Sequence, residues 1–180
     1  YSDQVPPETV ASMSIVAAAV REVTRVPLGI NVLRNDARAA LAIATVAGCD
    51  FIRVNVLSGV AATDQGLIQG RAAELVRERL RLGSDVRIFA DAQVKHAVTL
   101  SSEDIAQSVM DISGRAGADA VIVSGAGTGR PVELEKLTNA FRAAQAVQTP
   151  LYIGSGVSAA QLESVLPHCD GVIVSSDLRK

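Results

Sequence analysis

Asp91-Ala92-Gln93-Val94-Lys95-His96 is the densest run of reactive side chains in this 180-residue chain. Asp91 is a candidate general base and His96 a candidate general acid–base. Lys95 is a candidate phosphate clamp or Schiff-base nucleophile. Arg53 and Asn55 stand two apart in an apolar run, so in a strand they share one face with Phe51. A buried arginine is costly unless paired, and Asp91, on the Arg87-Phe89-Asp91 face of another run, is the partner expected for Arg53. Such a pair is either a structural ion pair or an anion-gripping arginine beside an acid. Asn31, Arg34, Asn35 and Asp36 follow an earlier apolar run and are candidate substrate contacts, although Asn and Asp also make good turns and caps. Gly154-Ser155-Gly156 lets backbone N–H groups approach an anion. Ser158 and Gln161 form a capping-box pattern for a helix whose N-terminus would point at it. Ser175 and Ser176 close the last apolar run, and Gly127 and Thr128 lie in a second glycine-rich stretch, Gly125 to Gly129; these complete the phosphate-binding candidates.

The elements that must hold these residues follow from repetition. Gly48-Cys49-Asp50-Phe51-Ile52-Arg53-Val54-Asn55, Gly117-Ala118-Asp119-Ala120-Val121-Ile122-Val123-Ser124 and His168-Cys169-Asp170-Gly171-Val172-Ile173-Val174-Ser175 share one pattern: a small residue or cysteine, then Asp, then a short apolar run ending in a polar residue. Strands are expected over Leu28 to Leu33, Phe51 to Leu57, Val86 to Asp91, Ala120 to Ser124, Leu151 to Ile153 and Gly171 to Ser175. Helices are expected over Pro7 to Val23, Ala37 to Ala47, Arg71 to Leu82, from Ser101 or Ser102 to Ala116, and from Pro131 to about Val147, with one more starting near Ser158. Ser58 to Gly70 reads as a long polar-glycine loop and a lid candidate.

Strict alternation of strand and helix means an α/β fold with a parallel sheet. Right-handed crossovers leave a doubly wound open sheet or a closed barrel, and the repetition favours the barrel. Every candidate above then falls at the carboxyl ends of strands, where such folds do chemistry. A complete (β/α)8 barrel needs roughly 250 residues, so the chain reads as one domain carrying six units, with two missing. Both ends read as cut from a longer polypeptide, since the chain starts at Tyr1 and stops just after a strand. An open gap exposes strand edges, so further units or a partner are expected to cover it, and self-association is expected.

Composition narrows the function classes. Hydrophobic content is 48%, carried by small and branched aliphatics, with three Phe, two Tyr and no Trp, which suits a sheet under helices. A net charge of −2 and so few aromatics argue against nucleic acid as a partner. No apolar stretch is long enough to span a bilayer and no signal peptide is visible. Cys49 and Cys169 read as small buried hydrophobes in a reducing, cytoplasmic setting, with no metal signature and no resident cofactor expected.

Several of these segments resemble the BtpA/SgcQ family. Pro27-Leu28-Gly29-Ile30-Asn31-Val32-Leu33-Arg34-Asn35-Asp36 is similar to its "GvNvLRND" signature. Phe51-Ile52-Arg53-Val54-Asn55, Thr63-Asp64-Gln65-Gly66 with Gly70-Arg71-Ala72, Ala90-Asp91 with Val94-Lys95-His96, Gly127-Thr128-Gly129 and Gly154-Ser155-Gly156-Val157 follow in the same order. The resemblance implies a barrel of the ribulose-phosphate-binding type in which Tyr1 falls after the family's first two strands. It also implies a role in photosystem I biogenesis at the thylakoid surface, with photosystem I assembly components as partners, whereas the polar residues gathered at the strand ends point to an enzyme acting on a phosphorylated small molecule, such as an isomerase, epimerase or aldolase. The resemblance carries no established reaction. Gln93 stands where many relatives have His, which counts against a histidine-based mechanism, and Leu57 replaces a more usual polar residue.

Overall fold

A computed structural model describes residues 4–63, 66–93, 97–99, 104–125 and 132–174. In chain order its elements are α1 (Pro7–Val23), β1 (Gly29–Ile30), α2 (Ala37–Ala47), β2 (Phe51–Val54), β3 (Val60–Thr63), β4 (Gly66–Gln69), α3 (Ala72–Arg81) and β5 (Arg87–Asp91). They continue with β6 (Ala97–Thr99), α4 (Ile105–Met110) extended by a π-helical turn over Asp111–Arg115, β7 (Ala120–Val123), α5 (Leu134–Ala146), β8 (Leu151–Ile153), α6 (Leu162–Val165) between two 3₁₀ turns, and β9 (Gly171–Val172).

The six expected strands are present and pair in parallel, in the order β1-β2-β5-β7-β8-β9. Among these six, spatial order equals sequence order. A doubly wound sheet reverses direction at a switch point; this sheet has none, so all crossovers of one hand place their helices on one side, and the sheet is a half-barrel. Among the described residues β1 and β9 each pair with a single neighbour in it.

The two faces differ in chemistry. Ile30, Ile52, Val54, Ile88, Ala90, Val121, Val123, Leu151 and Ile153 point at the helices and are all buried. Alternation sends Phe51, Arg53, Phe89, Asp91, Ile122 and Tyr152 to the inner face. At the amino end that face is aromatic: Phe51 and Phe89 stack with centroids 4.5 Å apart, and Tyr152 follows at 5.2 Å. Phe51 and Tyr152 lie over Gly29 and Gly171, where a Cβ would collide with the rings. Two residues further along β2 and β5, toward their carboxyl ends, the same face turns polar, with Arg53 following Phe51 and Asp91 following Phe89.

The repeated aspartates tie this sheet together. Asp50, Asp119 and Asp170 each accept a hydrogen bond on a carboxylate oxygen from the backbone N–H of Leu28, Ile88 and Leu151 respectively, at 2.7–2.8 Å. Each aspartate's own N–H donates back to the carbonyl of that same residue at 2.8 Å. The three-fold phrase in the sequence is therefore a strand-to-strand clasp at the amino ends, away from the candidate chemistry.

Three expectations are corrected. Ser58 to Gly70 is not a plain loop: β3 and β4 form an antiparallel hairpin within it, and β3 also pairs with β6, a strand the alternating pattern does not show. Asp64 and Gln65 lie outside the described residues. The cap of α4 is Asp104, which accepts from the Ala106 N–H at 2.9 Å; Ser101 and Ser102 lie outside the described residues. The helix after Ser158 is broken, with four α-helical residues between 3₁₀ turns, although the Ser158–Gln161 capping box is formed.

Candidate functional site

Strand alternation carries Asn31, Arg53, Asn55, Asp91, Ser124 and Gly154 to the inner face at the carboxyl ends of five different strands. Asp91 is its centre. Its carboxylate is 4% exposed and accepts from Arg53 Nη2 at 2.9 and 3.1 Å, from Arg53 Nε at 3.3 Å and from Asn55 Nδ2 at 2.6 Å. Asn31 Nδ2 in turn donates to the Arg53 carbonyl at 2.9 Å and to Asn55 Oδ1 at 3.3 Å. The expected Arg53–Asp91 pair is thus formed, and two further residues of the same face lock its geometry. Arg53 is 24% exposed, and its Nη1 makes no hydrogen bond among the described residues. The guanidinium so placed holds the acid in position with one edge and presents positive charge to the inner space with the rest.

A cleft of about 690 Å³ reaches Asn55 and Asp91 from between α3 and α4, with Arg77, Ser108, Asp111 and Arg115 also on its walls. The segment after Asp91 leads to β6, which the hairpin strand β3 pairs. The stretch expected to be a lid is therefore joined to the far end of the run that carries Lys95 and His96; both of those residues lie outside the described ones. Gln93, within that run, accepts from Lys136 Nζ at 2.5 Å. Burial pulls the Lys136 ammonium below the ordinary lysine range, and nearby Glu133 partly opposes this. Nothing in the sequence pattern around Lys136, one turn into a polar helix, marks it out.

Gly154 faces this cluster from β8. A Cβ there would collide with Ser124 Oγ, would come within 2.6 Å of Ile122 Cγ2, and would meet Arg53 Nη2 at 3.4 Å. Gly154 N–H is used in the sheet, donating to the Val123 carbonyl at 2.8 Å. Ser155 and Gly156 follow it, half-buried, with Gly156 at φ +80°. Gly127, Thr128, Ser175 and Ser176 lie outside the described residues. The short, broken helix after Ser158 offers little dipole, and among the described residues Arg53 brings positive charge to Gly154.

Two of the expected substrate contacts, Asn35 and Asp36, make hydrogen bonds that hold the scaffold. Asn35 spends both ends of its amide on Val56, donating to its carbonyl and accepting from its N–H, each at 2.8 Å. Asp36 caps α2 through Ala39 N–H at 2.9 Å and accepts from Val5 N–H at 2.9 Å. Both bend the chain from β1 into α2, which is the ordinary use of Asn and Asp at a helix start. Arg34 is exposed beside them. Among the described residues no three His, Cys, Asp or Glu side chains gather as a metal site, and no helix is long and apolar enough to cross a membrane.

Comparison with known proteins gives the family and the fold. The sequence model of the BtpA family matches residues 1–180. The chain is 47% identical over 98% of its length to the photosystem I biogenesis protein BtpA of Synechocystis, and 47% identical over its whole length to an uncharacterized protein of Thermococcus kodakarensis. It spans 61% and 66% of the length of those two relatives, less than two thirds. Among solved structures, N-(5'-phosphoribosyl)anthranilate isomerase from Pyrococcus furiosus superposes with a TM-score of 0.63 over 100% of this chain and 74% of its own, at 16% identity. At that identity the likeness establishes the fold and nothing finer.

Proposed function

The chain belongs to the BtpA family, and on that premise we propose that it binds a phosphorylated small molecule at the carboxyl ends of its parallel strands. The observation that supports this most is the Arg53–Asp91–Asn55 cluster, a buried acid and an inward-facing guanidinium beside the glycine turn at Gly154. In this reading Gly154, Ser155 and Gly156, with Gly127, Thr128, Ser175 and Ser176, hold the phosphate. Arg53, Asn55, Asn31 and Arg34 orient the rest of the molecule. Asp91, Lys95 and His96 move protons or attack a carbonyl, as an isomerase, epimerase or aldolase requires. Asn35 and Asp36 support the turn and leave the ligand alone. The name of the superposable isomerase, which carries a phosphoribosyl group, is in keeping with such a ligand.

A thermal-shift screen of the full-length protein against phosphosugars and inorganic phosphate tests this. A ligand at one hundred times its dissociation constant stabilises the fold by about 2.7 kcal/mol. A shift that weakens in Arg53→Met supports the reading; no shift with any compound refutes it.

A second reading has one observation in its favour, the name of the Synechocystis relative. In that reading the barrel is a non-catalytic factor that assists photosystem I biogenesis through protein contacts, peripheral to the thylakoid in a phototroph. Equal identity to a Thermococcus protein gives the sequence no preference for it. Capture of photosystem components that survives Asp91→Asn would favour this second reading, and loss of capture in that variant would count against it.

A further inference from the structure

We infer that Ser124, the polar residue that ends the second copy of the repeated phrase and is absent from the site candidates, is an oxyanion-binding residue that works with Arg53 over Gly154. The inference rests on the ligand-binding reading above and adds to it the residue that makes the neutral contact. Ser124 stands one residue past β7 and is 5% exposed. Alternation from Ile122 points its side chain into the half-barrel rather than toward the helices. Its Oγ is buried and has no hydrogen-bond partner among the described residues. A buried hydroxyl with no partner costs folding stability that an alanine at the same place would not. A group kept under that cost is one whose partner arrives from outside.

The surroundings say what that partner is. The point just off Gly154 Cα, where other residues carry a Cβ, is in contact with Ser124 Oγ and lies 3.4 Å from Arg53 Nη2. The hydroxyl and the guanidinium therefore converge on the patch that glycine leaves bare. Arg53 already gives one edge to Asp91, and its Nη1 has no partner among the described residues. A hydroxyl that can donate, beside a cation with a donor to spare, matches a negatively charged oxygen. That oxygen belongs either to a phosphate or to a carboxylate of the same ligand.

The test uses the full chain, wild type and Ser124→Ala, with inorganic phosphate, glycolate and phosphoglycolate as probes in thermal-shift and calorimetric titrations. Loss of one hydrogen bond to a charged oxygen weakens binding about tenfold or more. Ser124→Ala is expected to melt, without ligand, at the wild-type temperature or above it, because the hydroxyl has no internal partner. A tenfold loss for inorganic phosphate and phosphoglycolate alike assigns Ser124 to the phosphate end. Loss confined to the extra affinity of phosphoglycolate assigns it to the carboxylate end. Unchanged affinities in Ser124→Ala, with wild type responding, overturn this inference and leave the ligand-binding reading standing. A ligand-free variant that melts well below wild type, or fails to fold, also overturns it, since the hydroxyl is then structural. A wild type indifferent to every probe overturns both.

Discussion

Asp91→Asn changes one atom of the inner cluster and sets a donor against donors. Each of these four contacts to the Asp91 carboxylate comes from an N–H of a described residue: Arg53 Nε and Nη2 on Oδ1, and Arg53 Nη2 and Asn55 Nδ2 on Oδ2. An amide offers one oxygen and one NH₂. Turned so that its oxygen keeps the two Arg53 contacts at 2.9 and 3.3 Å, it points its NH₂ at Asn55 Nδ2, which sits 2.6 Å from that position. Turned the other way it faces the guanidinium. Breaking a buried ion pair costs about 3–5 kcal/mol; Arg53 retains some contact with water, so the expected loss is about 3 kcal/mol. Urea unfolding of the full chain measures it: at a slope of about 2 kcal/mol/M, the midpoint falls by about 1.5 M. The donor conflict has its own signature. Asn55→Ala alone costs about 1–2 kcal/mol, for one hydrogen bond to a charge, but added to Asp91→Asn it costs almost nothing, because it removes the donor that the new NH₂ opposes. Strict additivity of the two, or a loss under about 1 kcal/mol in Asp91→Asn, refutes the assigned geometry.

Asp170→Ala removes the carboxylate that accepts from Leu151 N–H at 2.8 Å, and is expected to cost about 1.5–2 kcal/mol in the same assay, with Asp170→Asn losing less because it keeps an acceptor. Asn35→Ala gives up both bonds to Val56 and should destabilise by about 2 kcal/mol; any phosphate-induced shift in melting temperature survives it if the residue is scaffold. Burial pushes the Cys49 and Cys169 thiols up, so at pH 8 a disulfide reagent should label them only as fast as the fold opens, and faster in urea. Labelling of either in native protein at the rate of a free thiol would contradict its burial.

How much of this was legible in the chain differs by residue. Alternation of apolar runs with amphipathic ones gave the six parallel strands and four of the helices within a few residues, because burial on both faces of such a sheet forces continuous Ile, Val and Ala runs. The Arg53–Asp91 pair was legible too, since a two-residue period put both on a face where a lone charge would be costly. The hairpin over 60–69 was not. Val60 to Thr63 and Gly66 to Gln69 are short and mostly half-exposed, and β6 is three residues long, so local composition reads as loop and pairing between distant segments makes the strands. Asn35 and Asp36 carry the same residue types whether they touch a ligand or a backbone amide.

The sequence by itself determined the period, the class of fold and which residues face the inside, because those follow from local alternation and the cost of burying charge. Only the tertiary structure decided what each inward or terminal polar group meets. The aspartate in the repeated phrase drew attention to the strand ends that follow it, and it proves to bind the amide of a neighbouring strand at the opposite end. Ser124, in the chain only the polar end of one repeated phrase, becomes informative once Gly154 and Arg53 are seen beside a hydroxyl with no partner among the described residues. Hydrogen bonds act over about 3 Å, and residues 30 or 70 apart in sequence come within that reach only when the sheet closes around them.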